Sequence, residues 1–212
     1  MGYSQKSICQ KERKNTEDGV CYVTELVKCP LKAYLDRIEP QEYDEETLRR
    51  FKSGDMIEDG FTALLRQNPD IYVIGTQWRA YYKDEKVEIH GRIDILAQHD
   101  DQKIVAHEVK STKDHPWRDE PYETHVQQLQ FYLHATGLQH GEINYISKKA
   151  ILDGKKQIDS SYPVTQNHET YKFLIQRAHT LITALKYSIP PTPEPNGLCK
   201  YCTHNCPTKE NQ

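Results

Sequence analysis

The pattern of apolar and polar positions predicts a chain in which helices flank and interrupt a set of strands. Residues 25–37, 45–66, 122–136 and 168–187 are predicted as helices. The last is the clearest, because its apolar residues recur at intervals of three and four and therefore share one helical face. Thr24 is expected to cap the first helix, with Cys29 inside it.

Short apolar runs between polar turns predict the strands. They lie at residues 71–74, 77–82, 87–97, 103–111, 141–147 and 155–162, and a polar turn at 99–102 joins the third strand to the fourth. Helices mixed with strands predict an α/β fold. We expect a polar leader at residues 1–20, a core at 21–187, and a proline-rich connector with a cysteine-rich segment at 188–212.

Composition sets limits on the class of protein. A chain of 212 residues with 36% hydrophobic residues is long enough for one domain with a modest core. A net charge of -3 argues against a generally basic nucleic-acid coat protein, but it does not exclude a protein that binds nucleic acid through a local basic patch. The sequence has neither a long apolar run nor a signal-peptide pattern, so we expect no membrane association and a cytoplasmic location.

Three charged residues on neighbouring predicted strands indicate a metal-dependent phosphodiester nuclease. Asp94 lies on the first of these strands, and Glu108 and Lys110 lie two apart on the next. Side chains two apart on a strand share a face, so Glu108 and Lys110 project together while Val109 points into the core. If the strands pair as a hairpin, Asp94 lies beside Glu108. Two carboxylates and an ammonium group then surround one point, which suits a hard divalent cation and an attacking water.

Other residues are candidates for the same site. Gln128 and Tyr132 are four apart on a predicted helix and therefore share a face, where an amide and a phenol can orient a phosphate or a base. Glu58, on the helix at 45–66, is a candidate for a further carboxylate ligand. The alternatives are a polar hairpin whose charges only pair across the strands and, for Glu58, a solvated helical glutamate.

The cysteines predict a second metal centre. Cys199, Cys202 and Cys206 form a C-x2-C-x3-C pattern in which closely spaced thiolates can chelate a metal or a cluster. Cys29 is the candidate for a fourth ligand. Cys9 and Cys21 are expected to be ordinary thiols, and three unrelated buried thiols are the alternative for the C-terminal group.

These features together resemble the RecB-type branch of the PD-(D/E)XK nucleases, and most closely the CRISPR-associated Cas-four exonucleases with their iron–sulfur cluster. The resemblance covers nearly the whole chain after residue 20. The matching segments are residues 22–30 around the first cluster cysteine, Gly91 to Asp94, Glu108 to Lys110, Gln128 to Tyr132, and the terminal cysteines Cys199, Cys202 and Cys206. One cysteine before the nuclease core and three after it make an order that is more specific than any single motif.

The resemblance implies a restriction-endonuclease-like core, a mixed β-sheet flanked by helices, and a cluster region that joins the N- and C-terminal segments. It implies a DNA exonuclease that acts on single-stranded or frayed ends during spacer acquisition, beside the CRISPR integrase. Mg²⁺ or Mn²⁺ would be held by Asp94, Glu108 and the carbonyl of Val109, with Lys110 positioning the water. Gln128 and Tyr132 would orient the DNA strand. A structural [4Fe-4S] cluster would use Cys29, Cys199, Cys202 and Cys206.

The sequence departs from the family pattern in two places. Glu58 occupies the position, four after Gly54, where the family usually has a histidine that binds the metal. The gap of three residues between Cys202 and Cys206 is often longer in the family. The tight spacing leaves zinc open as the bound metal, with His204 as a competing ligand.

Three other functions remain open from the sequence. The first is a related iron–sulfur nuclease of recombination, repair or viral origin outside a CRISPR locus. The second is an inactive DNA-binding module with a nuclease fold. The third is a zinc-ribbon interaction protein, which predicts a colourless preparation.

Overall fold

The centre of the molecule is a mixed β-sheet. The computed structural model describes residues 19–40, 42–114, 119–195, 199, 202–204 and 206. Within these residues the sheet has six strands: β1 (Val20–Tyr22), β2 (Ile71–Lys83), β3 (Glu88–His99), β4 (Ile104–Thr112), β5 (His140–Ser147) and β6 (Asp159–Thr165). Their order is β1-β3-β4-β5-β6, and β2 also pairs with β3. The β1–β3 and β4–β5 pairs are parallel and the others antiparallel.

Helices pack against this sheet. They are α1 (Val23–Leu26), α2 (Pro30–Ile38), α3 (Glu45–Gln67), α4 (Glu123–Thr136), α5 (Lys148–Leu152) and α6 (His168–Tyr187). Side chains cap the longer ones: Asp44 accepts a hydrogen bond from the Thr47 amide at the start of α3, and Asn167 accepts from Glu169 and Thr170 at the start of α6. The expected mixed sheet flanked by helices is confirmed.

Two apolar clusters hold the layers together. The larger one joins α4, α6 and the sheet, and its fully buried members include Leu129, Phe131, Leu174, Ile89 and Ile143. The smaller one packs α3 against β3, β4 and β5, with Phe61 and Leu65 lying on Ile95, Val109 and Ile146. The long helices α3 and α4 are thereby fixed to the strands that carry the candidate catalytic residues.

Most predicted elements are confirmed, but the first predicted helix is wrong. Residues 25–37 do not form one helix, because Cys29 is extended at the N-cap of α2. Pro30 explains the break, since proline lacks an N–H group and disfavours a helical conformation in the residue before it. Cys29 therefore lies between α1 and α2 and not inside a helix.

The other differences concern strand boundaries. Residues 71–74 and 77–82 belong to one strand, β2, whose register shifts between Val73 and Gly75. The predicted strand at 155–162 is β6 and begins later, at Asp159. The short elements β1 and α5 were not predicted from the sequence, and β1 includes Val20, which was assigned to the leader. Residues 1–18 of the leader lie outside the described residues.

No helix among the described residues is both long and apolar enough to cross a lipid bilayer.

Candidate active site

The pairing of β3 with β4 brings Asp94 and Glu108 together. Ile95 is opposite His107, so Asp94, one residue earlier, faces Glu108, one residue later. The backbone amide of Val109 donates a hydrogen bond of 2.8 Å to Asp94 Oδ2. The hairpin expected from the sequence is therefore present, and the Val109 side chain points to the opposite side, into the cluster under α3.

Glu108 is buried but only partly satisfied. The residue is 1% exposed. Lys110 Nζ donates to its Oε1 atom, and Gln128 Nε2 donates to the same atom at 2.8 Å. Glu108 Oε2 is buried and has no hydrogen-bond partner among the described residues. A buried carboxylate oxygen without a partner is costly, which indicates a place for a cation or a bound ligand.

Gln128 and Tyr132 lie on the face of α4 that covers this pair. Gln128 Nε2 is 2.7 Å from the Tyr132 hydroxyl, and the amide oxygen of Gln128 is 3.4 Å from Lys110 Nζ. Both residues are buried. The structure thus places Gln128 directly against Glu108, where the sequence analysis expected contact with a DNA strand.

Gly91 allows this close approach of α4. A Cβ atom at this position would lie 2.5 Å from Tyr132 Cε1, a distance that real structures essentially never show. The glycine of the Gly-x-x-Asp segment that ends at Asp94 therefore makes room for the tyrosine ring above the sheet.

Glu58 joins the site from α3, and a residue not predicted from the sequence holds it. Gln77 Nε2 of β2 donates a hydrogen bond of 2.5 Å to Glu58 Oε1. Burial, with a further contribution from Asp94, raises the pKa of Glu58 to about 7. Asp94 contributes to the raised pKa of Glu58, and Glu58 in turn contributes to the raised pKa of Glu108. Glu58, Asp94 and Glu108 therefore lie close enough to affect one another's charge. No hydropathy or spacing signal in the sequence identifies Gln77.

The electrostatics of the site favour an added positive charge. Burial and the neighbouring Glu108 raise the pKa of Asp94 to about 8. Burial also raises the pKa of Glu108, although Lys110 opposes this shift. Burial acts to lower the pKa of Lys110, but Glu108 and Asp94 outweigh it and the pKa is raised. Lys110 thus interacts with two buried carboxyl groups, Asp94 and Glu108, and burial raises the pKa of Glu58, Asp94 and Glu108 alike.

Oxygen ligands of this kind fit Mg²⁺ or Mn²⁺, which bind carboxylates and carbonyls. Within the described residues, however, no three His, Cys, Asp or Glu side chains already surround one point in metal-binding geometry. Two features of the described structure fit the expected metal. One is the Glu108 Oε2 atom without a hydrogen-bond partner, and the other is the excess of carboxyl groups over ammonium groups.

His125 of α4 is a second residue that the sequence analysis missed. The Tyr122 amide donates to the Tyr145 hydroxyl at 2.9 Å, and His125 Nδ1 is 2.8 Å from the same hydroxyl. We infer that the hydroxyl donates to Nδ1, which leaves the proton of the neutral ring on Nε2. Burial and the charge of Lys110 lower the pKa of His125 to about 3. His125 is therefore a neutral imidazole close enough to Lys110 to be affected by its charge.

The C-terminal segment lies against α2, close to Cys29. The Cys29 sulfur accepts a hydrogen bond from the Glu194 amide at 3.4 Å. Arg177 of α6 donates to the carbonyls of Leu26 and Lys28, both at 2.8 Å, and pairs with Glu194. These contacts carry the connector past the first candidate cluster cysteine.

The remaining cysteines follow in the same segment. The amide of Cys202 donates to the carbonyl of Cys199 at 3.0 Å. His204 Nε2 lies 2.7 Å from Asp36 Oδ1 on α2, so the sequence candidate for a competing zinc ligand bonds to a carboxylate in this structure. In the described part of the chain, no three His, Cys, Asp or Glu side chains lie close enough together to hold one metal ion. The assignment of Cys29, Cys199, Cys202 and Cys206 to a cluster stays a prediction.

The two leftover cysteines differ. Cys21 is fully buried on β1, and burial raises the pKa of its thiol to about 12, so it is a poor nucleophile and a poor metal ligand at neutral pH. Cys9 lies outside the described residues.

Comparison with known proteins places this geometry in context. The chain is similar to the CRISPR-associated exonuclease Cas4 of Saccharolobus solfataricus, with 25% identity over 203 residues that cover 91% of this chain and 90% of that protein. The crystal structure of SSO0001 superposes with a TM-score of 0.64 at 23% identity, covering 92% of this chain and 88% of that one. The alkaline exonuclease LHK-Exo from Laribacter hongkongensis has a TM-score of 0.57 at 12% identity, covering 81% and 90%.

The structural matches show the fold, and the family follows from the sequence match. The model of the PD-(D/E)XK nuclease superfamily matches residues 11–207, nearly the whole chain. The matched span includes the carboxylates and the lysine that β3 and β4 bring together, and it confirms the family expected from the sequence motifs. The chain belongs to the PD-(D/E)XK nuclease superfamily.

Proposed function

We propose that this protein is a metal-dependent DNA exonuclease that acts on single-stranded or frayed DNA ends. The observation that carries the proposal is that β3 and β4 bring Asp94, Glu108 and Lys110 together, while one buried oxygen of Glu108 has no partner among the described residues. The similarity to a CRISPR-associated exonuclease supports the exonuclease reaction.

The residues of the site have distinct roles in this proposal. Asp94, Glu108 and the Val109 carbonyl would hold one or two Mg²⁺ or Mn²⁺ ions, with Glu58 as an additional ligand from α3. When bound, the ions supply a water of lowered pKa and stabilise negative charge on the phosphate. Lys110 keeps its proton at neutral pH and offsets the charge that develops on the phosphate oxygens.

The residues on α4 complete the site. Gln128 orients Glu108 through its amide, and Tyr132 fixes that amide in turn. Because Gln128 donates to Oε1, the Oε2 atom of Glu108 is the one left for a metal ion. Both α4 residues therefore act through Glu108, and the DNA strand need not touch them.

We propose a [4Fe-4S] cluster on Cys29, Cys199, Cys202 and Cys206 as a structural centre. Four thiolates match its ligand set. The contacts of Glu194 with Cys29 and of His204 with Asp36 support it, because they bring the C-terminal segment to α2. The bond between His204 and Asp36 favours a set of four thiolates over a zinc site that uses this histidine.

The proposed biological setting is CRISPR adaptation in the cytoplasm, beside the integrase complex. It rests on the similarity to the Saccharolobus protein named above. A nuclease of repair or viral origin predicts the same chemistry without an integrase partner, so capture of the integrase by the purified protein separates the two settings.

The test of the enzymatic proposal is a degradation time course on single strands labelled at the 5′ or the 3′ end, with and without Mn²⁺. We expect progressive shortening from an end that requires the metal and that Glu108→Ala abolishes. Cleavage at internal positions only would contradict an exonuclease, and cleavage that persists in EDTA would contradict the metal requirement.

A further inference from the structure

Gln77 has an unusual backbone conformation in the middle of a strand. Its φ angle is +52°, in the left-handed region that residues other than glycine rarely adopt. Two other non-glycine residues of the described chain share this feature: Gln102 lies in the turn after β3, and Ser188 caps the end of α6. Turns and helix ends commonly contain such residues, whereas the interior of β2 does not.

The position of Gln77 in the sheet connects this strain to the candidate active site. In the β2–β3 pair, Thr76 is opposite Ile95 and Trp78 is opposite Ile93, so Gln77 faces Asp94 across the two strands. The unusual backbone therefore occurs at the sheet position next to the candidate metal-binding aspartate. Strained residues persist where the surrounding structure enforces them, and they concentrate at functional sites.

The side chain of Gln77 reaches a second residue of the same site. Its Nε2 atom donates a hydrogen bond to Glu58 Oε1 at 2.5 Å, joining β2 to the middle of α3. Glu58 has three side-chain torsions, and a partner on a different element limits the orientations of its carboxylate. Gln77 thus lies beside Asp94 in the sheet and holds Glu58 through a hydrogen bond.

We propose that Gln77 is a positioning residue that orients the Glu58 carboxylate toward the ion held by Asp94 and Glu108. The proposal rests on the metal-dependent function proposed above. It explains why β2 keeps a left-handed glutamine where a residue with extended backbone would be easier to accommodate. Partners that orient metal ligands in this way typically change metal affinity by about 10–100-fold when they are removed.

The test compares Gln77→Gly with Gln102→Gly. Both substitutions replace a glutamine at positive φ by the residue that tolerates it best, so relief of the backbone strain offsets part of the lost side-chain contacts and both variants should melt close to the temperature of the unchanged protein. In the described structure Gln102 lies in an exposed turn, where its side chain bonds to Gln98 and to the Asp100 carbonyl and not to the three carboxylates of the site. We therefore expect calorimetric Mn²⁺ titration to show an affinity loss of about tenfold or more for Gln77→Gly and none for Gln102→Gly.

A double-mutant cycle assigns the effect to Glu58. In a Glu58→Gln background, Gln77→Gly should change the Mn²⁺ affinity by less than about twofold, because the carboxylate to be oriented is already gone. If Gln77→Gly does not fold, Gln77→Asn serves the same purpose, since asparagine tolerates positive φ and its amide is one carbon short of Glu58.

The outcomes separate this inference from the enzymatic proposal. If the unchanged protein binds Mn²⁺ and degrades DNA while Gln77→Gly binds Mn²⁺ equally well, the positioning role is overturned and the nuclease proposal stands. If the unchanged protein binds no Mn²⁺, both are overturned. An equal affinity loss in Gln102→Gly would identify a general effect on stability and would also overturn the positioning role.

Discussion

The amide of Val109 donates a hydrogen bond to the carboxylate of Asp94, so β4 holds a candidate metal ligand of β3 through its backbone. The same residue is expected to offer its carbonyl to the metal. No substitution at Val109 other than proline removes this amide, so the position of Asp94 depends on strand pairing itself. Predictions for the site therefore concern the carboxylates and the residues that orient them.

Removing either central carboxylate should abolish cleavage without preventing DNA binding. Asp94→Ala or Glu108→Ala removes a metal ligand, and we expect the cleavage rate to fall by at least about a hundredfold. Phosphate contacts outside the site should maintain DNA affinity within about threefold. Single-turnover cleavage and gel-shift titration measure the two effects. Glu169→Ala, an exposed carboxylate on α6, is the control, and near-normal cleavage by Glu108→Ala would refute the site.

Gln128 should affect catalysis more than DNA binding. Its amide orients Glu108, so Gln128→Ala should lower kcat by about 10–100-fold and leave DNA affinity nearly unchanged. Gln127→Ala is the matched control, because Gln127 is the neighbouring glutamine of α4 and bonds only to the exposed Glu123 in the described structure. A loss of DNA affinity with normal kcat would instead support the direct strand contact predicted from the sequence.

The metal-free protein should lose stability as the pH rises from about 4 to 8. Asp94 and Glu58 have raised pKa values of about 8 and about 7 in the folded state. A raised carboxyl pKa contributes stability that is complete below the unfolded value, about pH 4, and is lost as the pH passes the folded value. Asp94→Asn cannot ionise, so in EDTA its melting temperature should fall less between pH 5 and pH 8.

Mn²⁺ should reverse this pH effect in the unchanged protein. The ion binds the ionised carboxylates, and binding to the folded state alone raises stability. Asp101→Asn, in the exposed turn after β3, is the control for the loss of one carboxylate. Identical melting curves for Asp94→Asn and the unchanged protein at both pH values would show that Asp94 is not the titrating group.

Loss of Cys29 should loosen the C-terminal segment. We expect protein purified without oxygen to be brown, and Cys29→Ala to lose the colour and to increase hydrogen exchange around residues 199–206. Cys9→Ser should leave colour and exchange unchanged. A colourless, zinc-loaded protein that is indifferent to Cys29→Ala would overturn the cluster and favour a zinc ribbon.

The sequence predicted best what depends on regular periodicity. The helix at 168–187 was predicted to the residue, because its apolar residues recur at intervals of three and four along one face. Asp94, Glu108 and Lys110 were expected to converge because alternation along a strand fixes which side chains share a face. The pairing of β3 with β4 brings together residues fifteen apart in the chain, and the polar turn between them was visible in the sequence.

Features that depend on tertiary contacts were not predicted. Gln77 and Glu58 are 19 residues apart in the chain and meet between two different elements, and a left-handed φ in a strand has no compositional signal. Pro30 indicated a break at Cys29, but the predicted helix followed the spacing of the apolar residues instead. Cysteine spacing names potential ligands, but it does not fix the distances between their sulfur atoms.

Two glycines under α4, Gly91 and Gly141, allow this helix to lie close to the sheet. A Cβ at Gly91 would meet Tyr132, and a Cβ at Gly141 would lie 2.9 Å from Leu129 Cδ2. Gln128 lies on the same helix, and its bond to Glu108 lengthens if the helix is lifted. Alanine at either glycine would therefore push α4 away from the sheet and weaken the bond of Gln128 to Glu108, although no polar residue of the candidate site is changed.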